Sequence, residues 1–193
     1  GDDLGGGCGF NGMDWGPDGR LYGPRWFNGE VISVDVETGE SRTEASGFNV
    51  PAAVKFDSMG RLHILDTGSG DVIRREEDGK QAVITTLSTG LDNFAFDDAD
   101  NLFVSSYADG FISKVTSSGV EEILPGGISH PGALVIHNDT VVIADIQSVR
   151  AIDAATGEDI WTLRNIFQFA PIGTATAVSN HGPDLLLTSW LDN

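Results

Sequence analysis

Phe10-Asn11-Gly12-Met13-Asp14-Trp15-Gly16-Pro17-Asp18-Gly19-Arg20-Leu21-Tyr22 is the stretch that decides the fold. It reads as a turn, a short strand with Met13 and Trp15 alternating, a tight Pro17-Asp18-Gly19 turn and a second strand opening at Leu21. Weaker copies follow at intervals of about forty residues, with the second-strand anchors at Leu21, Leu62, Leu102, Val141 and Leu185. A turn precedes each anchor, among them Ser58-Met59-Gly60, Asn138-Asp139-Thr140 and Gly182-Pro183-Asp184. An apolar alternation precedes each turn, as in Val54/Phe56, Phe94/Phe96 and Leu134/Ile136.

Past each anchor the pattern continues with a second turn, a third strand such as Val31-Ile32-Ser33-Val34-Asp35, a third turn such as Glu37-Thr38-Gly39-Glu40, and a fourth strand such as Gln81-Ala82-Val83-Ile84. Three turns separating four strands, repeated at this length, predict an all-β chain and a β-propeller. A twisted four-stranded sheet has two apolar faces and buries them by stacking radially on its neighbours, which leaves only short edges unpaired. The competing fold, a sandwich of short strands, does not require repeated turn chemistry. The repeats fall at about 10–47, 50–90, 91–127 and 130–167, with a partial one at 173–193, all within a single propeller domain over 1–193. About four and a half blades do not close a ring, so the expectation is a piece of a longer propeller of about six blades, completed by missing blades or another chain.

Composition narrows the function. Among 193 residues, 29 acidic against 11 basic side chains give a formal charge of −18, which opposes binding to a phosphate backbone or an anionic membrane surface. No apolar run reaches the roughly 18 residues of a membrane span, and the acidic start is no signal peptide, so a soluble chain is expected, periplasmic, secreted or cytoplasmic. The single Cys8 excludes an intrachain disulfide and a cysteine-based zinc site.

The run Asn11-Gly12-Met13-Asp14-Trp15-Gly16-Pro17-Asp18-Gly19, continued by Gly29 to Asp35 and Thr38-Gly39, resembles the SMP-30/gluconolactonase family. NHL-repeat proteins and the virginiamycin B lyase group share the repeat shape. The resemblance implies a six-bladed propeller with one divalent cation, Ca²⁺ or Zn²⁺, in its central channel. The family's ligands are a Glu, the Asn of the N-G motif and an Asp in a P-D-G run on the following blade. Asn11 matches the Asn; the following repeat has Pro51-Ala52-Ala53 where the Asp should stand; the next offers Asp92 and Asn93; the Glu would precede Asn11.

The equivalent axial positions before each inner strand are Asn11, Ala52, Asp92, Gly132 and Thr174. Asn11 and Asp92 are therefore the metal candidates, a partial set for Ca²⁺, which takes about six to eight oxygens. The expected activity is metal-dependent hydrolysis of a small lactone or ester, with Asp92 orienting or deprotonating the attacking water. Either residue could instead satisfy loop amides. Arg25 and Trp26 are candidates for binding the small-molecule substrate, or a packed rim. His130, in the loop before an inner strand, is a third such candidate, since the lyase relatives use a channel histidine. Asp66, Ser106, Asp145 and Ser189 form a second equivalent set that reads as holding the next turn. His63 reads as a packing residue, and Trp161, in a stretch resembling the docking motif of quinone-dependent dehydrogenases, as inter-blade packing. The alternative function is a non-catalytic NHL-type propeller that binds a ligand or a protein.

Overall fold

A computed structural model describes residues 11–164 and 175–189. Cys8, Phe10 and Thr174 lie outside them. The strands form antiparallel meanders in which each pairs with the next in sequence. The first sheet is β1 (Asp14–Trp15), β2 (Leu21–Arg25), β3 (Glu30–Val34) and β4 (Ser41–Ser46). The second is β5 (Pro51–Phe56), β6 (Leu62–Asp66), β7 (Asp71–Arg75) and β8 (Gln81–Thr86). The third is β9 (Leu91–Phe96), β10 (Leu102–Ser106), β11 (Ile112–Thr116) and β12 (Gly119–Leu124). The fourth is β13 (Pro131–His137), β14 (Thr140–Asp145), β15 (Ser148–Asp153) and β16 (Asp159–Arg164), and β17 (Ala175–His181) pairs with β18 (Asp184–Ser189). This is the propeller-blade pattern that the spacing predicts, and among the described residues the regular structure is all-β apart from a 3-10 turn at Trp26–Asn28.

Burial grades across each blade. The second strands β6 and β10 are buried at every residue, whereas the fourth strand β16 is exposed at every residue. A four-stranded blade does this when one edge packs at the axis and the other meets water. Trp161, read as inter-blade packing, sits on β16 and is 43% exposed.

The chain divides into two compact units, Gly1–Leu91 and Asp92–Asn193. In the first, Tyr22 and Val31 pack with Phe48, Val54, Leu62, Ile64 and Ile73, and the Tyr22 ring meets Phe56 edge-on at 4.9 Å. In the second, Phe103, Ile112 and Ile123 pack with Leu134, Val141, Ile143 and Ile152 of the next sheet. Val142, Ala144, Val149 and Ala151 in turn meet Val178, with Leu185 and Leu187 beside them. Apolar faces are buried blade on blade in each unit, the main source of stability in such stacks. Among the described residues no helix is long and apolar enough to cross a membrane.

The opening motif turns out to be a clasp between two inner strands. Gly12 forms a parallel bridge with Ala53, and its carbonyl accepts from the Val54 amide at 2.8 Å. A Cβ on Gly12 would lie 2.5 Å from the Ala53 Cβ, so only glycine permits this approach. Asp14 accepts from Phe56 N at 3.0 Å and Trp15 N at 2.9 Å, while Lys55 Nζ donates to the Met13 carbonyl at 3.1 Å.

Candidate functional site

The residues singled out in the sequence fall into both units. Asn11, Arg25 and Trp26 belong to the first, Asp92 and His130 to the second. Asn11 is exposed immediately before the Gly12 bridge. Arg25 closes β2, and its guanidinium meets Glu30 at 3.3 Å. Its Nε is buried without a hydrogen-bond partner among the described residues. Trp26 follows, half-buried, in the 3-10 turn.

In the second unit the starts of three inner strands come together. Asp92 is half-buried near the beginning of β9, and burial pushes its carboxyl up to about 6. A Cβ built on Gly132, near the beginning of β13, would have three oxygens as its nearest neighbours: Asp92 Oδ2 at 3.5 Å, Ala144 O at 3.7 Å and Thr176 O at 3.7 Å. These come from β9, β14 and β17, three successive blades. Ser105, fully buried on β10, fixes the arrangement from behind. Its hydroxyl accepts from Asn93 N at 3.2 Å and donates to Gly132 O at 2.8 Å. Asn93 is itself structural, with Oδ1 accepting from Phe94 N at 2.9 Å.

His130 lies two residues before Gly132. Its ring packs against Tyr107 with centroids 4.8 Å apart, and its Nδ1 is hydrogen-bonded with Ser129 Oγ at 3.2 Å. The backbone below is held by Asp145, 4% exposed, whose carboxylate accepts from His130 N at 3.0 Å and Ser129 N at 3.3 Å. Asp66 does the same one unit earlier, accepting from Asn49 N at 2.7 Å, Val50 N at 2.9 Å and Gly68 N at 3.0 Å. Ser106 Oγ accepts from Asp109 N at 3.1 Å in the following turn. Asp66, Ser106 and Asp145 thus hold turns, as the recurrence of their set suggests, and the two carboxylates also tie down the loop that enters the inner strand. His63 is 4% exposed with Nδ1 at 3.0 Å from Arg61 O, and burial holds its imidazole below the usual histidine range.

Asn11 and Asp92 were paired in the sequence as oxygens for one cation. Among the described residues no group of three or more His, Cys, Asp or Glu side chains could hold a metal ion. Around Gly132 one carboxylate oxygen and two carbonyl oxygens lie near one another, donors of the kind Ca²⁺ takes but by themselves too few to enclose it. Sequence reading missed the two carbonyls, because any residue type supplies one; the sole signal was a glycine at an axial position.

No family model matches the chain, and no curated protein matches it by sequence. Solved structures do resemble it. Virginiamycin B lyase from Staphylococcus aureus, selenomethionine-substituted, superposes with a TM-score of 0.73 at 17% identity over 92% of this chain and 62% of its own. A catalytically inactive histidine-to-alanine variant of that enzyme with quinupristin gives 0.76 at 16% identity, over 96% and 64%. A chain from a nidogen/laminin complex gives 0.79 at 15% identity, over 94% and 72%. The chain therefore spans less than two thirds of the length of the lyases it resembles. The likeness joins the repeated four-stranded sheets in one conclusion: the fold is a β-propeller.

Proposed function

We propose that the chain belongs to a propeller hydrolase acting on small lactones or esters, with Asp92 as its acid–base group. The observation that carries the reading is the Asp92 carboxyl, half-buried at the mouth of the inner strands and pushed up to about 6 by burial. A carboxyl in that range is a competent base near neutrality and can return the proton it takes. Ionised Asp92 accepts a proton from a water whose oxygen adds to the ester carbonyl carbon. The C–O bond to the leaving oxygen then breaks, and Asp92 gives the proton to that oxygen. His130, its ring set by Tyr107 and Ser129, is proposed to bind the substrate beside Asp92. The divalent cation implied by the SMP-30-like motif, Ca²⁺ by preference, would polarise the carbonyl as a Lewis acid when bound, leaving Asp92 as the base.

The test is turnover of a lactone and ester panel by the full-length protein, with and without chelator. Asp92→Asn should lower kcat by about 10²- to 10⁴-fold, the usual contribution of a general base. Turnover unchanged in that variant refutes the assignment. The likeness to a chain of a nidogen/laminin complex favours a second reading, a non-catalytic propeller that binds a ligand or a protein. No turnover across the panel with Ca²⁺ present would leave that reading in place.

A further inference from the structure

In the first unit a cleft of about 300 Å³ opens between the first two sheets, lined from the turns that follow β1 and β5 and from the end of β7. Its wall is apolar: Tyr22 and Phe56 meet edge-on, with Met59 and Leu62 beside them. Burial pushes the Tyr22 hydroxyl up to about 12, so that ring stays neutral. What sets the cleft apart is the state of its charged groups. Arg75 follows Ile73 by two residues on β7, and strand alternation turns both towards the first sheet. There it faces Glu44, with Nη1 3.6 Å from the carboxylate and so beyond hydrogen-bond reach. Arg61 bonds Asp57 through Nε at 2.6 Å, and its terminal nitrogens have no hydrogen-bond partner among the described residues. The acids beside them are engaged. Asp18 accepts from the Tyr22 hydroxyl at 3.1 Å and from Arg20 N at 3.2 Å, and Glu76 accepts from Arg74 Nε at 2.9 Å. In a chain of formal charge −18, one cleft thus holds two guanidiniums with N–H groups to spare.

We propose that this cleft binds a small organic monocarboxylate with an apolar body, its carboxylate on Arg61 and Arg75 and its body against Phe56 and Met59. A guanidinium fork matches a carboxylate in plane and in hydrogen-bond spacing. An apolar wall with a few placed polar groups is the usual form of a small-molecule site. Asp18, Glu76 and Glu77 around the cleft oppose a second negative charge, which places a monoanion above phosphate. An ammonium ligand would meet acids already bonded and guanidiniums that repel it. The site goes beyond the proposed hydrolysis and shares no residue with it.

The experiment is an NMR-observed titration of the full-length protein with phenylacetate, and then with benzylamine and inorganic phosphate. Phenylacetate should saturate with a Kd of about 1 mM or below, the range a ligand of that size reaches. Arg75→Gln is the decisive variant. It breaks no side-chain hydrogen bond among the described residues, so its circular dichroism and urea midpoint should match the parent. Phenylacetate affinity should fall about tenfold or more in Arg75→Gln, and likewise in Met59→Glu, which sets a carboxylate at an exposed position of the lining. It should stay within about twofold in Arg150→Gln and Asp92→Asn, both in the second unit. No saturable binding of phenylacetate, or equal binding by parent and Arg75→Gln, overturns the site. Benzylamine or phosphate bound as tightly as phenylacetate overturns the choice of ligand. Phenylacetate binding by a protein that turns over no lactone or ester would sink the hydrolase and leave this site standing; turnover without phenylacetate binding would do the reverse.

Discussion

Asp92→Asn should stabilise the protein, and do so only above a certain pH. An aspartate whose folded-state carboxyl lies at about 6, against an ordinary 3.8, binds more protons folded than unfolded between those values. Stability from this group is therefore greatest in acid and falls as pH rises from about 4 through about 6. A displacement of that size corresponds to about 3 kcal/mol of penalty on the ionised form. Partial exposure of the side chain lowers the expected gain to about 2 kcal/mol at pH 8 in chelator. At pH 3.5 parent and variant should agree within about 0.5 kcal/mol. Urea unfolding followed by tryptophan fluorescence at both pH values measures the difference. A variant that is destabilised, or whose advantage does not change with pH, would refute the claim that burial raises this carboxyl.

Gly12→Ala drives a methyl to 2.5 Å from the Ala53 Cβ, and should cost about 1–3 kcal/mol while speeding hydrogen exchange at the Val54 amide. Asp66→Ala strands three amides now bonded to a buried carboxylate, and should cost about 3 kcal/mol or more by urea unfolding, with Asp66→Asn recovering part of it. His130→Ala removes an exposed ring, so unfolding should change by less than about 0.5 kcal/mol while KM for the best ester of the panel rises. Equal losses of stability and turnover in that variant would assign His130 to the scaffold.

The strands were legible because their turns are chemically loud. Leu21, Leu62 and Leu102, each placed after a turn rich in Asp or Gly, are the first residues of β2, β6 and β10. What stayed hidden is set by neighbours distant in sequence. Asp14 looks like a solvated strand residue until β5 is laid beside β1, when its carboxylate proves to hold the Phe56 amide. Asp66 and Asp145 read correctly as turn holders, yet their bonds to Asn49, Val50, Ser129 and His130 reach back to segments no local pattern links to them. The bulges at Pro51–Ala53, Pro131–Leu134 and Ala175–Ala177 shift register by an amount that alternation of apolar residues does not encode.

Asp66 and Asp145 grip main-chain amides, and that choice separates upkeep of each loop from the chemistry of its side chains. Any residue but proline brings the same N–H to positions 49, 50, 129 and 130, so side chains there can be exchanged without slackening the anchorage beneath them. Ser129 and His130 are thus natural places to vary in a selection for new ligand preference, with the two aspartates left untouched.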